Sequence, residues 1–174
     1  MKKLNMILCL ALILCFMVGC QDKEAMRAQG VVEEANKEIV KCVFEEMNKG
    51  NIEIINELYA PDYGYYSPSN NPKPMSREET IEFLKMVLKA FPDVNWRIKE
   101  IIAKDDRVIV RFIVTGTHHE EFQGILATGN KIEVSTILIW RIINSKIVEE
   151  REEANILGMM QQLGMELKPK EEEK

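Results

Sequence analysis

Residues 107–134 read RVIVRFIVTGTHHEEFQGILATGNKIEV, and this stretch decides how the rest of the chain is read. Val108, Val110, Phe112 and Val114 recur at period two, with Ile109 and Ile113 on the alternate positions, which is the pattern of a β-strand. Gly116 interrupts the strand where a missing side chain allows a bend or the close approach of a neighbour. His118 follows, on the face of Phe112 and Val114 if the pleat continues through the glycine. Gly124 and Thr128-Gly129-Asn130 then reverse the chain into another strand. A titratable ring on the apolar side of a bent sheet points to a pocket.

Upstream, the periodicity is helical. Val32, Ile39, Val43 and Met47 recur at helix spacing, flanked by Val40 and Phe44, and Gly50 suits a left-handed cap. Asn51 is placed to cap a short helix reaching Leu58, stopped by Pro61. All four tyrosines (Tyr59, Tyr63, Tyr65 and Tyr66) then fall in a short strand leading to a loop. Ser76-Arg77-Glu78-Glu79 is a capping box, and Ile81, Leu84, Leu88 and Phe91 form the stripe of a helix ended by Pro92. From Val94 the period becomes two: Val94, Trp96, Ile98 and Ile102 share a face, and Asp105-Asp106 turn into the opening stretch. Strands over 132–143 and 146–153 are joined by Asn144-Ser145, and Ile156, Leu157, Met160 and Leu163 mark a last short helix closed by Gly164.

Helices first and long strands afterwards predict an α+β fold, an antiparallel sheet with helices on one face. The strands are apolar on both faces, Val108, Phe112, Leu138 and Trp140 against Ile109, Ile113, Ile137 and Ile139. A half-exposed antiparallel sheet alternates more cleanly, so the outer face predicts a partner, most simply a second copy of the chain in a homodimer.

The N-terminus reads as a separate unit. Lys2 and Lys3 precede an apolar run from Leu4 to Val18, shorter than the roughly 20 residues of a membrane span and fitting a secretory signal peptide. Met17-Val18-Gly19-Cys20 resembles a bacterial lipobox, with Met17 where a larger aliphatic residue is usual. The expected organisation is a lipoprotein signal peptide over 1–19, a tether over 20–30, one domain over 31–165 and a charged tail over 166–174. Cys20 would carry the lipid and hold the protein on a cell membrane, facing outside the cytoplasm. Removing residues 1–19 deletes two lysines and no acid, leaving 21 basic against 28 acidic residues, a net −7. That balance argues against nucleic acid as a partner. Of the cysteines only Cys42 would remain unmodified, with no disulfide framework, and it reads as a small buried residue rather than a nucleophile.

Taken together, these segments resemble the SnoaL-like polyketide cyclase family of the nuclear transport factor 2-like cone fold. The resemblance rests on Asn48-Lys49-Gly50-Asn51, Leu58-Tyr59-Ala60-Pro61-Asp62, Phe91-Pro92-Asp93 and Thr115-Gly116-Thr117-His118, and continues through Lys146-Ile147-Val148-Glu149 to Gln161-Gln162-Leu163-Gly164. It implies a cone-shaped sheet wrapped over about three helices, with a pocket inside. For the cyclases it also implies an intramolecular aldol closure without metal or organic cofactor, driven by an Asp near the C-terminus and helped by histidines. His118 matches the family's histidine, but the Asp position is Asn155, which cannot take up a proton. Tyr66 stands where the family often has a histidine, and Arg151 where it usually has an aromatic residue.

Three functions therefore compete. The first is a binding pocket for a small, largely apolar molecule bearing a carbonyl or hydroxyl, held by Tyr66, His118 and Asn155 without cofactor or metal. The second is a cyclase- or isomerase-type enzyme performing intramolecular aldol or proton-transfer chemistry, with His118 as the catalytic group or a nearby glutamate, Glu149 or Glu153, in its place. The third is an interaction protein whose cone is filled by its own side chains. His119 is expected to face solvent, Trp96 and Trp140 to be core, and the acidic run Glu149–Glu153 to be solvated or paired with arginine.

Overall fold

The computed structural model describes residues 26–166 and Lys168. The signal peptide, Cys20 and most of the charged tail lie outside the described residues. Helix α1 spans residues 26–48, followed by α2 (Ile54–Leu58), β1 (Tyr59–Tyr66), α3 (Arg77–Ala90), β2 (Asn95–Lys104), β3 (Arg107–Thr117), β4 (Lys131–Ile143), β5 (Lys146–Ala154) and α4 (Ile156–Gln162). The strands form one sheet in the order β1-β5-β4-β3-β2. Pairing is antiparallel from β2 to β5, and β1 adds to the edge in parallel with β5. The α+β class is as the sequence predicts. The parallel edge strand was not anticipated.

Helix α1 begins within the stretch expected to be a tether, since residues 26–30 are already helical. Gln29 and Glu33 bind the β2–β3 turn at Asp105, which extends the helix toward the N-terminus. Its buried apolar side chains are Val40, Val43 and Phe44, while Val32, expected in the stripe, is exposed. Gly50 ends α1 at φ +77°, a left-handed conformation that glycine adopts without a Cβ penalty. Asn51 does not cap α2: its amide binds Glu46 at 2.7 Å, and Glu53 occupies the cap position without a side-chain bond. The Ser76 capping box forms on α3 with both reciprocal bonds in place. Cys42, expected to be buried, is exposed.

The core lies between the inner face of the sheet and α1–α3. Val108, Val110 and Phe112 point inward from β3, Trp140 and Ile142 from β4, and Ile147 from β5. Two one-residue bulges change which side chains face it. On β2, Ile98 pairs with Phe112 and Glu100 with Arg111, leaving Lys99 unpaired. The alternation is thereby reversed: Trp96 is buried, whereas Ile102, expected on the same face, is exposed. On β5, Ile147 pairs with Ile142 and Glu149 with Arg141, leaving Val148 unpaired. Beyond that bulge the even-numbered residues face inward.

Candidate functional site

A cavity of about 360 Å³ opens inside the cone between the sheet and α1, α3 and α4. Its wall is mainly apolar, built by residues such as Phe44, Leu84, Trp96, Phe112 and Leu138. The volume is within the range of small-molecule sites. The third reading from sequence, a cone packed solid by its own side chains, does not describe this interior.

The acidic side chains of the wall come from β5. Because of the bulge at Val148, Glu150 lies opposite Trp140 and Glu152 opposite Leu138, both inward positions. Glu150 is only 5% exposed and accepts hydrogen bonds from the hydroxyls of Tyr59 at 2.8 Å and Tyr63 at 2.7 Å. Glu152 accepts from the hydroxyls of Tyr65 at 2.5 Å and Ser67 at 2.7 Å. Strand β1 supplies all three tyrosines from its position beside β5, so the parallel edge pairing is what assembles this end of the cavity.

Burial dominates the electrostatics. It pushes the Glu150 carboxyl up to about 7; the hydroxyls of Tyr63 and Tyr59 oppose the shift, and the charge on Glu152 adds to it. Burial, and then the charge of Glu150, raises the hydroxyls of Tyr59 and Tyr63 well above their usual range, and burial and Glu152 do the same for Tyr65. The tyrosines therefore remain protonated donors, while Glu150 exchanges a proton near neutrality. A carboxyl with that property in an apolar cavity can act as hydrogen-bond donor, acceptor or proton carrier.

None of the three residues expected to form the site lines the cavity. His118 does face inward, but it is fully buried, stacked on Phe91 with ring centroids 5.1 Å apart. Its Nδ1 lies 3.1 Å from Thr128 Oγ1, and its backbone is fixed to Asn130 and Gly129. Among the described residues, none partners its buried Nε2. The close approach predicted at Gly116 is present: a Cβ there would lie 3.2 Å from Phe91 Cβ and 3.4 Å from Val94 Cα. Tyr66 pairs with Arg151 in the sheet, and the Arg151 guanidinium lies 4.2 Å over its ring. Asn155 is exposed and caps α4, accepting from the Gly158 N–H at 3.0 Å. His119 is exposed, as expected.

The glutamates that do line the cavity are not the ones singled out by strand parity. Glu153 is exposed and Glu149 binds Arg151 at 2.9 Å. Counting alternate residues from Ile147 points to Glu149, Arg151 and Glu153, and the bulge defeats that count. One signal in the sequence could have led to Glu150 and Glu152: two acids two apart in a strand, in a chain whose tyrosines are all concentrated in one other strand.

A cone of curved sheet and helices around a small apolar cavity with ionisable groups on one side defines a class of pocket proteins. The chain belongs to the SnoaL-like polyketide cyclase family, whose profile matches residues 37–163. Similar solved structures include AclR of Streptomyces galilaeus, named as a candidate hydroxylase, at 27% identity and TM-score 0.70, covering 76% of this chain and 97% of AclR. Wild-type IdmH of Streptomyces antibioticus, a candidate polyketide cyclase, is 26% identical with TM-score 0.64, covering 74% and 98% of the two chains. A candidate polyketide cyclase from Acidithiobacillus ferrooxidans is 27% identical with TM-score 0.65, covering 75% and 94%. Among curated protein sequences, none matches this chain.

Proposed function

We propose that this chain binds a small, largely apolar molecule in the cone, with a hydroxyl or carbonyl turned toward Glu150 and Glu152. The observation that carries this reading is the apolar cavity with carboxyls gathered on the β5 side. An ionised carboxyl accepts from a hydroxyl, and a protonated Glu150 donates to a carbonyl; near neutrality both forms of Glu150 are populated. The position to which the resemblance assigns the family's acid/base is Asn155, a helix cap outside the cavity, so binding does not imply the cyclase reaction. Isothermal calorimetry with 2-phenylethanol tests the reading. Saturable binding that is lost when Leu138 is replaced by Trp, which fills the cavity, is expected; no binding would contradict it.

A second reading is cofactor-free proton transfer of the cyclase or isomerase kind, with Glu150 as the acid/base in place of the missing Asp. It is favoured by the position of Glu150 in the wall and its readiness to exchange a proton near pH 7. The ionised carboxyl would take a proton from a carbon next to a ketone, leaving an enolate, and return it to that carbon. Exchange of the α-hydrogens of 2-indanone in D2O reads this step. It should disappear in Glu150→Gln and persist in His118→Gln; exchange that survives Glu150→Gln would remove the reading.

The proposal extends to where the protein works. Cys20 carries lipid that holds the domain at the cell membrane outside the cytoplasm, which labelling with an alkynyl fatty acid would detect and Cys20→Ser should abolish. A second copy covers the outer sheet face, where Ile102, Ile109 and Ile137 are exposed. Light scattering of Ile109→Glu should then give a monomer where the unmodified chain gives a dimer.

A further inference from the structure

Among the described residues, the cavity wall contains two carboxyls and no cation. Lysine, arginine and histidine are all missing from the residues that line it. Glu150 and Glu152 project from the same face of β5 two residues apart, which places their Cα atoms roughly 7 Å from one another. Four hydroxyls surround them, and all four are already committed: Tyr59 and Tyr63 donate to Glu150, Tyr65 and Ser67 to Glu152. Those bonds cancel no charge. Each ionised carboxylate keeps further lone pairs free, so this part of the wall accepts hydrogen bonds and carries uncompensated negative charge.

We propose that the group entering this end is a protonated amine, so that the ligand is a small apolar amine rather than a neutral alcohol or an organic acid. This rests on the pocket reading above and changes its polar group, an ammonium taking the place of the hydroxyl or carbonyl beside Glu150 and Glu152. An ammonium supplies what the wall lacks: a counter-charge for the buried Glu150 carboxyl and the half-buried Glu152 carboxyl, and up to three donors for their free lone pairs. The aromatic rings beside the carboxyls suit the same ligand. Trp140 lies directly opposite Glu150, with the Tyr59 ring 6.3 Å and the Phe44 ring 5.9 Å away between centroids. All three line the cavity, and ring faces attract a cation that has left water. An organic acid would bring a third negative charge into the same low-dielectric space.

The test compares three ligands of nearly equal size on the full chain by isothermal calorimetry at pH 8: 2-phenylethylamine, 2-phenylethanol and phenylacetate. The amine should bind at least about tenfold more tightly than the alcohol, and the acid more weakly than either. In Glu152→Gln and Glu150→Gln the amine should lose about tenfold more affinity than the alcohol, removing the preference. Equal affinities for amine and alcohol in the unmodified chain would overturn the amine inference and leave the pocket standing. So would an amine preference that survives both substitutions. No binding by any of the three would remove the pocket reading and this inference with it.

Discussion

Two titratable side chains sit on the inward face of the same sheet and differ in access. His118, at the end of β3, is sealed: it stacks on Phe91, its backbone is bonded on both sides, and it does not reach the cavity. Glu150, on β5, is nearly as buried yet forms part of the cavity wall, with two tyrosine hydroxyls fixing its carboxyl. Burial alone therefore does not mark a functional group. The difference is whether space for another molecule lies beside it, and here only Glu150 has that space.

If this contrast is right, changes at His118 register as stability and changes at Glu150 as binding and pH response. The largest effect on stability is expected from His118→Ala, which removes a fully buried ring packed on Phe91. It should cost about 2–4 kcal/mol in denaturant unfolding. Affinity for 2-phenylethylamine should stay within about twofold of the unmodified chain, a change worth less than 0.5 kcal/mol or so. A large loss of affinity in a chain that is still folded would place His118 in the site after all.

Glu150 should leave its mark on the pH dependence of folding. Its carboxyl is raised from the usual 4.5 to about 7 in the folded chain. Below 4.5 it is protonated in both states and its favourable contribution is complete. Between 4.5 and 7 the unfolded chain ionises first, so stability falls as pH rises, and above 7 the loss is complete. The whole window is worth on the order of 3 kcal/mol. Glu150→Gln should flatten this segment of the profile, measured by urea unfolding across the pH range; two superimposable profiles would contradict the raised pKa.

Gly116→Ala should cost about 1–2 kcal/mol in thermal or urea unfolding, because the added Cβ meets Phe91 Cβ at 3.2 Å and the Val94 backbone at 3.4 Å. Since Phe91 also lines the cavity, the same substitution should weaken amine binding only as far as that ring moves. The smallest effect is expected outside the cone. Arg151→Ala removes the guanidinium over Tyr66, an arrangement worth about 0.5–1 kcal/mol at a part-exposed site, and should leave binding unchanged.

Much of the fold was legible because hydrophobic period and turn chemistry agree. The alternation of Val108, Val110 and Phe112, the capping box at Ser76, the left-handed cap at Gly50, and the turns at Gly129 and Asn144-Ser145 all appear in the structure. The site was less legible for a physical reason. A one-residue bulge leaves no clear signature in composition, yet it exchanges the two faces of every residue beyond it. Lys99 turned Ile102 outward, and Val148 turned Glu150 and Glu152 inward. The pairing that brings Tyr59, Tyr63 and Tyr65 to those glutamates is a long-range parallel contact, hidden from any local window. Strand parity and the family motif both lead to His118, and it does face inward, but periodicity does not tell a sealed position from a lined one.

The central claim is that ligand chemistry in this protein is centred on Glu150. The most direct measurement is the NMR titration of the Glu150 side-chain carboxyl carbon, assigned with Glu150→Gln, with and without 2-phenylethylamine. The account predicts a midpoint near 7 in the free protein, displaced downward when the ammonium binds beside the carboxylate. The His118 ring signals should be the same with and without the amine. A Glu150 midpoint near 4.5, or one that ignores the amine while His118 responds, would contradict it.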